Sequence, residues 1–136
     1  MPTAPNLALN KPAASSTIEG VGFEPEKAVD GNNMTRWAGH EGTDPEWIYV
    51  DLGSVQPITG VKLRWEDAYA TRYKIEISTD SGSPEHWTEV YSTANGNGGF
   101  DEIPLTPQPA RYVRMLGLER GTPYGYSLYE FEVTGQ

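Results

Sequence analysis

The 136-residue sequence has no cysteine, only two histidines, and far fewer basic than acidic residues, 10 Lys+Arg against 19 Asp+Glu. Without cysteine there is no disulfide staple and no thiolate metal or redox centre. His40 and His86 lie far apart, and neither has a recognisable serine or cysteine partner, so imidazole-based catalysis lacks its parts. A glycosidase needs only two carboxylates, but 19 acidic residues bring some pair together by chance, so the count decides nothing. The formal net charge of −9 opposes phosphate backbones and anionic membranes, and neither nucleic acid nor membrane is expected as a partner. No apolar run approaches the ~20 residues that cross a bilayer. The opening Met1-Pro2-Thr3-Ala4-Pro5 has neither the basic stretch nor the apolar core of a signal peptide.

What is present is alternation. Hydrophobic residues make up 37% of the chain and are spread along it, enough for one domain with its own core. Ile48, Val50 and Leu52 share one face of a run that Gly53 ends. Val61, Leu63 and Trp65 alternate with Lys62, Arg64 and Glu66, and Tyr73, Ile75 and Ile77 with Lys74, Glu76 and Ser78. The segments 111–116 and 129–133 read the same way, as half-buried antiparallel strands. Pro57, the 80–84 and 95–99 segments and Gly121-Thr122-Pro123 punctuate them. The one helical candidate is Pro25-Glu26-Lys27-Ala28-Val29, with proline at its start. The pattern predicts an all-β chain, a single antiparallel sandwich of roughly eight strands. Residues 1–5 read as a linker or expression stub and 6–136 as one module. Asn6-Leu7-Ala8-Leu9 and Phe131-Glu132-Val133 are expected as strands that bring the termini together.

The densest segment is Lys27-Ala28-Val29-Asp30-Gly31-Asn32-Asn33-Met34-Thr35-Arg36-Trp37. Asp30, Asn32 and Thr35 can turn oxygens inward from one tight loop, the donor type that calcium takes. An EF-hand reading puts Asp30, Asn32 and Glu41 at positions 1, 3 and 12, but Thr35 stands where the glycine is required and no helix flanks the loop. By itself, Asp30-Gly31-Asn32-Asn33 reads first as a turn made of turn formers.

Six segments in order carry a resemblance: 6–11, 28–32, 35–37, 47–53, 110–114 and 130–133. Together they resemble the discoidin superfamily, the coagulation-factor V/VIII type C domains, and within it carbohydrate-binding module family 32. Residues 65–70 and 124–130 are similar to modules attached to bacterial chitosanases and β-glucanases. The resemblance implies a jelly-roll sandwich without catalytic activity, a structural calcium ion and a sugar site on the loops.

By that resemblance calcium is held by the carbonyls of Lys27, Asn32 and Tyr129, the carboxylates of Asp30 and Glu130, and Thr35 through hydroxyl and carbonyl. Glu130 at the matching position turns the loop from a turn into a metal clamp. The sugar site needs an aromatic face and planar polar groups. Glu19, Arg36, Glu41, Glu66 and Tyr124 match positions that line the ligand cleft of chitosan-binding members. Each also has a plainer reading. Glu19 and Glu41 sit in polar loops, Glu66 has Arg64, Arg72 and Lys74 for neighbours in sequence, and Arg36 can buttress the sandwich. Trp37, Trp47, Trp65 and Trp87 are assigned to core or strand packing, as are Tyr126 and Tyr129.

Three carboxylates in one cleft repel each other and lose hydration on contact, which suits a cationic ligand. Chitosan carries an ammonium on each glucosamine unit. The expectation is therefore a secreted, monomeric, non-catalytic module that targets a hydrolase in the same parent chain to polysaccharide, with chitosan favoured. Neutral β-glucan, mannan or galactosides on the same face are the alternative, and discoidin-type protein or lipid recognition is a second.

Overall fold

The structure is a computed structural model and describes residues 5–135. Seven strands form among these residues: β1 (Ala13–Ser15), β2 (Trp37–Ala38), β3 (Glu46–Trp65), β4 (Ala70–Ser78), β5 (Thr88–Thr93), β6 (Phe100–Arg120) and β7 (Ser127–Gly135). All pairings are antiparallel, in the order β2-β7-β3-β6-β4-β5 with β1 added to β3. The single helical element among the described residues is a 3-10 turn at Pro25–Ala28, opened by its proline as expected.

Two long strands make the sandwich. The first part of β3 pairs with β1 and with the second part of β6, through Val50↔Val113 and Ile48↔Met115. Past the irregularities at Asp51/Gln56 and Ile58/Gly60, β3 pairs instead with β7 and with the start of β6, through Leu63↔Phe131 and Leu63↔Asp101. Each long strand thus serves both layers, turning the corner at its bulges. Gly53, at φ 93, marks a bulge inside β3 rather than its end. Pro57 falls within the strand near the same irregular stretch, where a missing N–H is tolerated.

The alternation is realised as read. Ile48, Val50, Leu52, Val61, Leu63, Ile75 and Phe131 lie between the layers and are at most 2% exposed. A further expectation is corrected: the Asn6–Leu9 segment is not a strand. Asn6 forms a single bridge to Thr134, and its side-chain Oδ1 accepts from the Ala8 and Val133 amides at 3.0 and 3.1 Å. The side chain replaces the ladder and turns the chain. The two ends of the described segment still meet there, at Asn6 and Thr134. Among the tryptophans, Trp37 and Trp65 are core, whereas Trp47 and Trp87 pack on the outer face of the sheet. Trp47 stacks on Tyr49 at 5.4 Å, and Arg114 lies 4.3 Å over Trp87. Trp47 alternates with Ile48, so β3 pleating turns it outward.

Candidate functional site

Four inter-strand connections converge at one end of the sandwich. Glu19 follows β1, Arg36 precedes β2, Glu41 lies between β2 and β3, Glu66 follows β3, and Tyr124 lies between β6 and β7. All five sequence-selected residues line one cleft of about 170 Å³, with Gly39, Tyr126 and Ser127 at its base. Antiparallel connections bring these distant positions to the same edge; no local motif does so.

The cleft divides into fixed and free groups. Arg36 donates from Nη1 to Ser127 Oγ at 2.8 Å, and the Ser127 hydroxyl donates to the Trp37 carbonyl at 2.7 Å. Its guanidinium also lies 4.6 Å over the Phe23 ring and 3.9 Å from Glu66 Oε1. Glu66 is held in turn by the Ala68 amide at 2.9 Å. Its partner is therefore Arg36, not Arg64, Arg72 or Lys74. Arg36 is at once a buttress and a wall of the cleft. Glu19 and Glu41 are exposed and have no ion-pair partner among the described residues. Tyr124 is 54% exposed, so its ring face is open for stacking. Three carboxylates against one guanidinium leave the cleft electronegative.

A second set of residues, which no sequence motif marks, holds the loops in place. Asp44 accepts from Arg120 Nε at 3.0 Å and from the Tyr126 hydroxyl. Arg120 Nη1 reaches the carbonyls of Pro123 and Tyr124 at 3.4 Å each. Burial, and then the Asp44 bond, push the Tyr126 phenol well above its usual range, so it stays a donor. Beneath the same loop Glu46 is fully buried. It accepts from Ser16 Oγ at 3.3 Å and from the Thr17 hydroxyl, which itself accepts from the His40 amide at 2.8 Å. Burial raises the Glu46 carboxyl, partly opposed by those two hydroxyls. A Cβ on Gly39 would stand 2.5 Å from Glu46 Oε2, and one on Gly125 would stand 2.4 Å from the His40 carbonyl. Only glycine lets the two loops close this far.

The oxygen-rich loop lies beside the 3-10 turn and β7. The Thr35 hydroxyl sits 2.6 Å from Asp30 Oδ2, 3.0 Å from the Asn32 carbonyl and 3.3 Å from the Lys27 carbonyl. One hydroxyl has a single proton for these three acceptors, so oxygen is in surplus. Glu130 enters from β7, 6% exposed, with Oε2 lacking any hydrogen-bond partner among the described residues. Burial, then the neighbouring Asp30 and Glu132 charges, push its carboxyl up to about 7. Tyr129 is the preceding residue of β7 and is half-buried. Among the described residues no three acidic or histidine side chains are placed to hold a metal ion by themselves, so any cation here relies on carbonyls and a hydroxyl as well as carboxylates. That donor set fits calcium rather than zinc. Glu41, the twelfth position of the rejected EF-hand reading, lies in the cleft instead.

Known proteins are similar to this chain in sequence and, where solved, in fold. Chitosan-binding module 1 of a chitosanase/glucanase from Paenibacillus sp. IK-5 is 60% identical, covers 96% of this chain and 99% of its own, and superposes with a TM-score of 0.96. Chitosan-binding module 2 of that enzyme, solved in complex with chitotriose, is 57% identical over 96% of this chain and 100% of its own, with a TM-score of 0.95. The polysaccharide lyase 8 family protein HylA of Enterococcus faecalis is 36% identical over 103 residues, which are 69% of this chain but 7% of that protein. The F5/8 type C domain description matches residues 12–131. With that match spanning both layers of the sandwich and the loops at its end, the chain belongs to the F5/8 type C domain family.

Proposed function

We propose that the chain is a non-catalytic carbohydrate-binding module that takes glucosamine oligosaccharides of the chitosan type in the electronegative cleft. The observation that carries this reading is the convergence of Glu19, Glu41 and Glu66 with Arg36 and the open Tyr124 ring on one small cleft. A neutral sugar would strip water from three carboxylates without returning charge, whereas an ammonium offsets both desolvation and mutual repulsion. Arg36, held by Ser127 and Phe23, keeps donors free for sugar hydroxyls. Glu66, held by Ala68 and beside Arg36, is already oriented, while Glu19 and Glu41 close on the ligand from the rim. Tyr124 stacks on a ring face. The chitotriose complex of a module 57% identical to this one supports the ligand class.

Within the same reading, the module serves a secreted hydrolase in one parent chain, and it acts as a monomer. A calcium ion would be held by Asp30, Glu130, Thr35 and the carbonyls of Lys27, Asn32 and Tyr129. When bound, it supplies a fixed positive charge that neutralises the two carboxylates and ties the loop to β7. The unpartnered Glu130 oxygen supports that role. Arg36 follows this loop directly, so stiffening one steadies the other.

Calorimetry with a glucosamine trimer tests the cleft. Glu41→Gln and Glu66→Gln should each weaken binding at least about tenfold, or about 1.4 kcal/mol. Unchanged affinity in both variants would overturn the acidic-cleft reading.

A further inference from the structure

A second cavity, of about 320 Å³, opens on the outer face of the layer built from β1, β3 and β6, and shares no residue with the cleft. Its floor is aromatic. Tyr49 and Tyr112 meet edge to face at 5.7 Å, and Tyr49 is backed by Trp47, stacked 5.4 Å away, and by Trp87 at 5.8 Å. Both tyrosines line the cavity.

Beside this floor Asp51 and Arg111 form a fork: Nε to Oδ1 at 2.9 Å and Nη2 to Oδ2 at 3.1 Å. Gly53 donates to Oδ1 at 2.8 Å, so the carboxylate is fixed from two sides. Arg111 also lies 5.1 Å over the Tyr112 ring. Hydrogen bonding to Arg111 holds the Asp51 carboxyl below its usual range, so the pair is charged and internally balanced. It spends two of the five guanidinium donors and leaves lone pairs on Oδ2. A donor and an acceptor are thus displayed side by side at fixed spacing, next to an apolar ring. The rim is preformed as well. Gly82, Ser83 and Pro84 lie in a turn closed by Asp80, whose Oδ2 accepts from the Glu85 and His86 amides at 2.7 and 2.9 Å.

We propose that this cavity is a second carbohydrate site, specific for a neutral pyranoside. Two adjacent hydroxyls of a sugar ring need one acceptor and one donor at neighbouring positions, which the Asp51–Arg111 pair offers. The ring's C–H face needs an aromatic surface, which the half-buried Tyr49 offers, with the buried Tyr112 packed edge to face against it. The charge balance separates it from the cleft. There, three carboxylates face one guanidinium, while here Asp51 is already neutralised, so an ammonium gains nothing. A module with two such sites grips a partly uncharged polysaccharide at two points, and the second contact forms at high effective concentration.

The test is an amide-resolved NMR titration with cellotriose, a neutral trimer. Saturable shifts are expected at Ala13, Ala14, Gly82 and Ser83, while the Gly39 and Gly125 amides of the cleft stay still. Ser83→Trp, at an exposed rim position, should fill the opening, weaken cellotriose at least tenfold and leave the melting temperature unchanged. Tyr49→Ala should have the same effect on binding and provides a second variant. Absence of saturable shifts at 20 mM ligand, shifts confined to Gly39 and Gly125, or shifts that survive Ser83→Trp would each overturn the proposal. A glucosamine trimer read at Gly39 and Gly125 reports the cleft separately, so failure at one site is distinguishable from failure at the other.

Discussion

Arg120 and Asp44, 76 residues apart in sequence, meet at 3.0 Å and join the loop that carries Glu41 to the loop that carries Tyr124. The same guanidinium reaches the Tyr124 carbonyl, and the same carboxylate takes the Tyr126 hydroxyl. The width of the cleft is therefore set by residues that do not line its rim.

Removing that clamp should harm binding more than folding. The pair is partly exposed, so Arg120→Ala should cost stability only about 1 kcal/mol or less. Glucosamine-trimer affinity should fall about tenfold, mainly through faster dissociation. Stopped-flow or surface-resonance kinetics would show it, and an unchanged off-rate would contradict the clamp.

Arg36 should not tolerate lysine. Lysine keeps the charge but lacks the planar fork that engages Ser127 and lies over Phe23. Arg36→Lys should therefore weaken the trimer nearly as much as Arg36→Ala. Wild-type affinity in the lysine variant would reduce Arg36 to a point charge.

Glu46 makes stability depend on pH. Its folded carboxyl lies above the ordinary value near 4.5 because it is buried. The folded state thus holds this proton more tightly than the unfolded chain. The stability it contributes is complete below 4.5 and is lost as pH rises through the raised folded value. Glu46→Gln cannot titrate, so its melting temperature should fall less over that interval. Parallel melting curves for the two proteins would refute the assignment.

Calcium should raise the melting temperature, and chelator should lower it. A metal that binds only the folded state at one hundred times its Kd contributes about 2.7 kcal/mol. Glu130→Gln should abolish the response, and without calcium it should be no less stable than the parent, since it removes a buried, unpartnered charge. Identical melts with calcium and with chelator would leave the loop as a turn.

The core was legible because alternation is a direct record of which face is buried: Ile48, Val50 and Leu52 on one side, Trp47, Tyr49 and Asp51 on the other. Local competition was harder to read. Asn6 trades a strand for its own side-chain bonds, and Gly53 and Pro57 look like terminators although β3 runs through them on bulges. The five cleft residues could be picked because a family pattern places them at known loop positions. Asp44, Arg120, Tyr126 and Glu46 could not, since their contacts span 76, 82 and 29 residues and no spacing rule connects them. The Asp51–Arg111 fork was equally hidden, its partners standing 60 residues apart on adjacent strands.

The most direct measurement compares a glucosamine trimer with its fully N-acetylated counterpart at the Gly39 and Gly125 amides. The two ligands share length and linkage and differ in charge at each unit. Saturable shifts with the cationic trimer, and none with the acetylated one at the same concentration, are predicted. Equal shifts with both would contradict recognition of the ammonium by Glu19, Glu41 and Glu66.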